Sequence, residues 1–269
     1  MIDRAVLLGA LSTVCNADVT VQSDVSCRSA GATQQPQLFS KNFIHAVLGA
    51  DETSQVSRSN FCRLQCALQG QDQLGGITYQ EESGTRNPPC FINEDEFFDQ
   101  RFDYDFTNLT AVETYHRGGE VYERPYGWQR FALRVLDDYE DNTWLGTRYR
   151  STESVPGEWP VSYHGTSKKG AGGIIEEYFK PGPRELYGRG IYSTPYLRVA
   201  IPYAKTYTCP ANGKTYSVIL QNRINPTYRE KHRDGKYWLV RIDEGTSKEE
   251  EQKMVQRAIR PYGLLLKEV

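Results

Sequence analysis

The sequence predicts an α+β domain. From Val121 onward, short apolar runs bounded by glycine and proline read as strands. Brief helical patterns fall between them, without the regular strand–helix alternation of a parallel sheet. The composition agrees: 38% of residues are apolar, and 32 basic residues nearly balance 34 acidic ones in a chain of 269, which excludes a disordered chain. Eighteen tyrosines, ten phenylalanines and four tryptophans against two methionines make aromatics a main carrier of burial. Tyrosine at this level also offers flat, half-polar surfaces suited to planar ligands.

The run Ala5 to Cys15 is apolar but contains Gly9, Ser12 and Thr13. A membrane span needs about 20 apolar residues, so this run does not predict one. Asp3 offsets Arg4 and no clean small-x-small site follows. An amphipathic helix or a disordered end is expected rather than a signal-peptide core. Residues 1–90 are rich in Ser, Gln, Thr and Gly, with loops at Gln34–Gln37 and Gly75-Gly76 and short helices over Ser40–Leu48 and Ser59–Leu68. Residues 93–106 carry Glu94, Asp95, Glu96, Asp99, Asp103 and Asp105 against Arg101, interleaved with Phe97, Phe98, Phe102, Tyr104 and Phe106. That pattern reads as a solvated segment pinned to the body by its rings, with a docking strip or lid as the alternative. The text therefore divides into a partly irregular N-terminal extension, residues 1–110, and a domain over residues 111–269.

Within that domain, Trp128–Leu136 reads as a strand or short helix and Val161–His164 as a strand ending at Gly165-Thr166. Ala171–Phe179 reads as a helix stopped by Pro181-Gly182-Pro183. Gly190–Ser193 is a strand, Leu197–Tyr207 a helical pattern, and the alternation of Tyr216, Val218 and Leu220 a strand. Tyr237–Ile242 is another strand. Ser247-x-x-Glu250 opens a helix to about Ile259, and Tyr262–Leu266 is a final strand.

Charge is uneven. Twelve lysines and arginines between Lys180 and Arg241 face only Glu185, Glu230 and Asp234, a local net of +9 in a chain of net −2. Such a stretch suits a phosphate-bearing ligand, or simply balances the acidic 93–106 segment. Five of the six cysteines precede residue 91, and Cys62-x3-Cys66 lacks a second Cys/His pair at finger spacing. No metal site is expected, and six cysteines are too sparse for a disulfide scaffold, which favours an intracellular over a secreted chain. The Asn108-Leu109-Thr110 sequon decides nothing, since such triplets occur often by chance. A hydrolase reading lacks a nucleophile elbow or paired-carboxylate motif.

The chemistry-bearing text is Tyr163-His164-Gly165-Thr166, then Tyr187-Gly188-Arg189-Gly190-Ile191-Tyr192, then Ala200-x-x-Tyr203-Ala204. A histidine at a strand end can bond a ribose hydroxyl. A glycine beside it lets a planar ligand reach backbone N–H and C=O, the donor–acceptor pair that a primary carboxamide needs. Two tyrosines eleven apart, on a strand and then a helix, can flank one flat ring. Arg189 suits a pyrophosphate or only solvent.

This order of elements resembles the catalytic domain of the poly(ADP-ribose) polymerase-like ADP-ribosyltransferases, over roughly residues 120–269. The resemblance implies a split two-sheet fold, NAD as cofactor, and transfer of ADP-ribose to a protein or nucleic acid. It implies that His164 holds ribose hydroxyls, Gly165 clamps the nicotinamide amide, Tyr192 and Tyr203 sandwich the ring, and Thr166 adds a hydroxyl contact. Two positions depart from the family. Ala200 stands where a serine often bonds the carboxamide. Lys236, before Tyr237, stands where polymerases carry the glutamate that stabilises the oxocarbenium ion. Asp234, Asp243 or Glu244 are the carboxylates near enough in sequence to substitute. With Lys236 there, mono-transfer is expected rather than chain elongation, and the alternative is an inactive pseudoenzyme that binds a nucleotide, nucleic acid or protein. A related NAD-dependent RNA phosphotransferase fold is disfavoured, because it carries a second histidine where Tyr192 stands.

Overall fold

The computed structural model describes residues 3–21, 36–52, 89–110, 113–146, 151–165, 187–188 and 190–269. The expected helices over Ser59–Leu68 and Ala171–Phe179, the Gly75-Gly76 loop, and Cys27, Cys62 and Cys66 lie outside these residues.

The chain is a mixed α+β protein. Helix α1 (Arg4–Cys15) leads into β1 (Asp18–Val21), α2 (Phe43–Glu52), β2 (Pro89–Ile92) and the single-turn α3 (Glu94–Phe97). Short strands β3 (Tyr104–Asp105), β4 (Tyr115–Arg117), β5 (Glu120–Tyr122) and β6 (Gln129–Ala132) follow. Then come β7 (Val161–His164), β8 (Gly190–Ser193), α4 (Leu197–Ala200), β9 (Lys205–Thr208), β10 (Thr215–Ile224), β11 (Arg229–His232), β12 (Tyr237–Arg241), α5 (Lys248–Ala258) and β13 (Ile259–Glu268).

The larger sheet runs β3-β6-β13-β10-β7, with β9 also on β10. A smaller one runs β11-β12-β8. The two meet where Tyr163 and Thr194 exchange backbone hydrogen bonds of 2.8 and 3.1 Å. β10 and β13 form the antiparallel centre, with a bulge between Gln221 and Asn222 that accommodates Pro261, which has no N–H to give a ladder. β10 alternates between two cores: Val218, Leu220 and Ile224 join α1, α2 and α5, while Ile219 joins Trp128, Tyr163 and Leu265.

Most strand expectations are met, and so is the capping box: Ser247 Oγ accepts from Glu250 N–H while Glu250 reaches back to Ser247 N–H. Trp128–Leu136 resolves as strand β6. The helical reading of Leu197–Tyr207 is corrected. The α-helix stops at Ala200, Ile201–Tyr203 is a 3-10 turn, and Lys205–Thr208 is strand. Pro202 has no N–H to continue the helix, and the edge of β10 offers Lys205–Thr208 a ladder instead. In the acidic segment Phe97, Phe98 and Phe106 are buried, while Phe102 and Tyr104 stay exposed.

Ala5–Cys15 forms a helix, and Val6, Ala10, Leu11 and Val14 face the core. Lys205 Nζ donates to Thr13 and Val14 carbonyls at 3.2 and 3.3 Å, satisfying C-terminal acceptors of α1 with a cation. Among the described residues no helix is long and apolar enough to cross a membrane.

One carboxylate organises the underside of the central strands. Glu158 Oε1 lies 3.1 Å from Arg223 Nη1 and 3.4 Å from Arg117 Nε, all three side chains being almost fully buried. Gly146 (φ 79°) makes room, since a Cβ there would fall 2.5 Å from Glu158 Oε1. Beside this group, Arg260 packs over Tyr139, Trp159 and Trp144 with its guanidinium carbon 3.7, 4.5 and 5.0 Å from the ring centroids. Glu158→Gln leaves two buried guanidiniums without their anion, so urea unfolding should show a loss of about 3–5 kcal/mol.

His45 sits in the core on α2, and burial lowers its imidazole from 6.5 to about 4. It is therefore neutral in the fold and protonates more readily in the unfolded chain. Stability should be full above pH 6.5 and fall as pH drops toward 4, by about 3 kcal/mol from this residue. Chemical denaturation at a series of pH values should show that His45→Leu removes this slope.

Candidate functional site

The geometry of the site follows from β10. Its outer edge carries two strands end to end: His164, last in β7, pairs with Leu220, and Lys205, first in β9, pairs with Val218. Only Ile219 separates them, so the chain leaving β7 and the chain entering β9 converge there. Gly165 consequently lies against Tyr203. A Cβ on Gly165 would fall 2.6 Å from Tyr203 Cβ and 2.7 Å from its carbonyl oxygen. Glycine is required here by close approach rather than by a special dihedral.

The Tyr163–Thr194 bridge brings β8 alongside β7, and His164 Nδ1 lies 2.8 Å from the Tyr192 carbonyl oxygen. A carbonyl only accepts, so Nδ1 carries the proton and Nε2 is the acceptor edge. The Tyr192 hydroxyl donates to Gly188 O at 2.8 Å and accepts from Tyr187 N–H at 3.0 Å. This folds the Gly-x-Gly turn onto its own strand. Tyr203 is half-buried, and its hydroxyl is pushed up to about 12, first by burial and then by Tyr237. His164, Gly165, Tyr192 and Tyr203, predicted together, are thus brought together. Thr166 and Arg189 lie outside the described residues.

Lys236 is exposed where the 233–236 turn enters β12, with its ammonium 5.6 Å from the Tyr237 ring centroid. Its carbonyl accepts from Thr194 Oγ1 at 2.7 Å, which ties this position to the end of β8. Asp234 sits in the same turn at φ 54°, whereas Asp243 and Glu244 follow the opposite end of β12. Ala200 is buried in the core with Leu197 and Trp128.

Sequence reasoning missed a neighbouring network. Glu230, Leu239 and Tyr192 occupy one row across β11, β12 and β8. Arg241 grips Glu230 through Nε and Nη2 at 2.7 and 2.8 Å, and Nη2 also donates to Tyr187 O at 2.9 Å. His232 Nε2 is 3.2 Å from Glu230, and its ring stacks on Tyr187 at 4.2 Å. The Arg241 guanidinium holds the Glu230 carboxyl below its usual range. Only the strand register joins these residues, since Tyr187 and His232 are distant in sequence.

Among the described residues no cluster of three or more His, Cys, Asp or Glu could hold a metal ion. A cavity of about 470 Å³ opens elsewhere, lined by Asp3, Gln129, Lys214, Tyr216 and Lys267 among others, and shares no residue with the candidate site.

Gly190 (φ 155°) would place a Cβ 2.1 Å from Val240 O, whereas Gly213 (φ 70°) has open space. Both substitutions carry dihedral strain, but only the first also drives apart β8 and β12. Gly190→Ala should lower stability by about 1–3 kcal/mol more than Gly213→Ala in matched thermal melts. In comparisons with known proteins, the sequence matches no protein-family model and no curated protein.

Proposed function

We propose that this chain is an NAD-dependent ADP-ribosyltransferase of the poly(ADP-ribose) polymerase-like kind, with the split two-sheet fold of that family, which transfers a single ADP-ribose to a protein or nucleic acid. The observation that carries this is the convergence of His164, Gly165, Tyr192 and Tyr203. Residues from three separated segments meet around a glycine that touches Tyr203 and a histidine that bonds the Tyr192 backbone.

In this reading NAD is the substrate. The half-buried rings of Tyr192 and Tyr203 hold nicotinamide as leaving group, and Gly165 lets its carboxamide reach the backbone. His164, fixed by its Nδ1 contact, accepts a hydrogen bond from a ribose hydroxyl at Nε2. The nicotinamide–ribose bond breaks, its electron pair leaves with nicotinamide, and an acceptor nucleophile attacks the ribosyl cation. Thr166 and Arg189 would add contacts to hydroxyl and pyrophosphate. The basic stretch from Lys180 to Arg241 suits the phosphates of NAD or of a nucleic-acid acceptor.

Lys236 favours a second reading, an inactive relative that binds without turnover. Thr194 ties the Lys236 backbone carbonyl to the end of β8, and a cation at that position, in place of the family's carboxylate, opposes the positive charge that develops on ribose. Calorimetry with NAD and an assay for released nicotinamide separate the two. Activity predicts binding with slow release. His164→Ala should weaken binding about tenfold, the worth of one buried hydrogen bond, and Tyr192→Ala should abolish release. Lys236→Glu should raise the release rate. Binding without release in both wild type and Lys236→Glu would favour the inactive reading, and absence of NAD binding would sink the cofactor assignment and with it the transferase.

A further inference from the structure

A polar band crosses the buried side of five neighbouring strands, the side that also carries His164 of the candidate site. Asn222 of β10 pairs with Ser162 of β7. The antiparallel Tyr163–Thr194 bridge sets His164, two residues from Ser162 on the same face of β7, opposite Ser193 of β8, which pairs with Trp238 of β12. Arg229 of β11 lies over that indole with its guanidinium carbon 4.1 Å from the ring. Alternation along β10 puts Asn222 on the face of Leu220 and Ile224, and along β8 and β12 puts Ser193 and Trp238 on the face of Ile191 and Val240. All four of those apolar neighbours belong to one core, so the band lies inside it.

Asn222 and Ser162 are 0% exposed, Trp238 1% and Ser193 4%, and the Arg229 side chain 7%. Among the described residues, Asn222 Nδ2 and Oδ1, Ser162 Oγ, Ser193 Oγ, Trp238 Nε1, and Arg229 Nε and Nη1 have no hydrogen-bond partner. Arg229 is held by Glu120 through Nη2 alone. Each such atom bears the full penalty of leaving water, and so many in one band would not persist in a folded chain.

We propose that this band binds a file of internal water molecules. The chemistry selects water over an ion. Arg229 and Trp238 offer only donors at one end, Asn222 offers an acceptor and a donor at the other, and serine hydroxyls, which do both, lie between. Waters that accept from Arg229 and Trp238 can pass hydrogens along to Asn222 Oδ1. Bound waters of this kind make about three hydrogen bonds each and exchange slowly with solvent. The file runs along the face of β7 and β8 that carries His164, opposite the face of Tyr192. It stands independently of the proposed activity.

Water-oxygen-17 magnetic relaxation dispersion on the full chain counts such long-lived waters. The wild type should show about two or more. Asn222→Leu, which keeps the branching and heavy-atom count of the side chain without its polar atoms, should remove at least half of that amplitude while circular dichroism stays unchanged. Ser193→Ala, which deletes one hydroxyl, should shorten the residence times. If Asn222→Leu does not fold, Ser193→Ala decides alone. A wild type without slow waters, or amplitudes and residence times unchanged in the folded variants, would overturn the proposal.

Discussion

Strand β10 is the member on which the remaining structure depends. It pairs with β13 along nearly its whole length on one side and with β9 and β7 in tandem on the other. Every residue from Tyr216 to Ile224 is buried, so the strand cannot slip by one position without exchanging two cores. That fixed register decides where β7 ends and where β9 begins. The candidate site is the gap between those two ends, narrow enough that Gly165 and the Tyr203 backbone touch. The positions of His164 and Gly165 are therefore consequences of backbone pairing, set before any side chain there makes a contact.

The electrostatic design supports the same strand from beneath. Burying Arg223 and Arg260 opposite one another on the two central strands is tolerable only because their charges are dispersed differently. Arg223 shares Glu158 with Arg117 and donates to the Leu145 and Trp159 carbonyls, whereas Arg260 spreads its charge over three aromatic faces. Trp144 and Trp159 line the Arg260 side, so the aromatic richness of the sequence is partly a means of holding cations in the interior.

The sequence was most legible where one local rule governs. Alternation marked β10, the Gly-x-Gly-Ile-Tyr text marked β8, and the serine–glutamate spacing marked the start of α5, because each depends on residues within a few positions. Long-range pairing hid the rest. Leu197–Tyr207 has an apolar spacing that fits a helix, and only the edge of β10 makes Lys205–Thr208 a strand. Nothing local in the sequence shows that Arg117, Glu158 and Arg223 meet. The site motif was readable as a set of residue types, but its geometry came from β-pairing between segments more than twenty residues apart. Glu230 and Arg241, on the paired strands β11 and β12, were invisible as a pair because the hairpin register is not written in either residue.

The docking of α1 has a kinetic consequence. Its last-turn carbonyls are capped by Lys205, the Val6 carbonyl accepts from the Tyr207 hydroxyl, and its Gly9 lies against the Tyr207 ring. These contacts span about two hundred residues of chain, so they add to contact order without assisting an early nucleus. On a ribosome, α1 emerges long before β9 exists to receive it; β1 and α2 can pack on its apolar face early, but its contacts with Lys205 and Tyr207 wait for β9. Folding therefore has to bring α1 onto a strand made about two hundred residues after it.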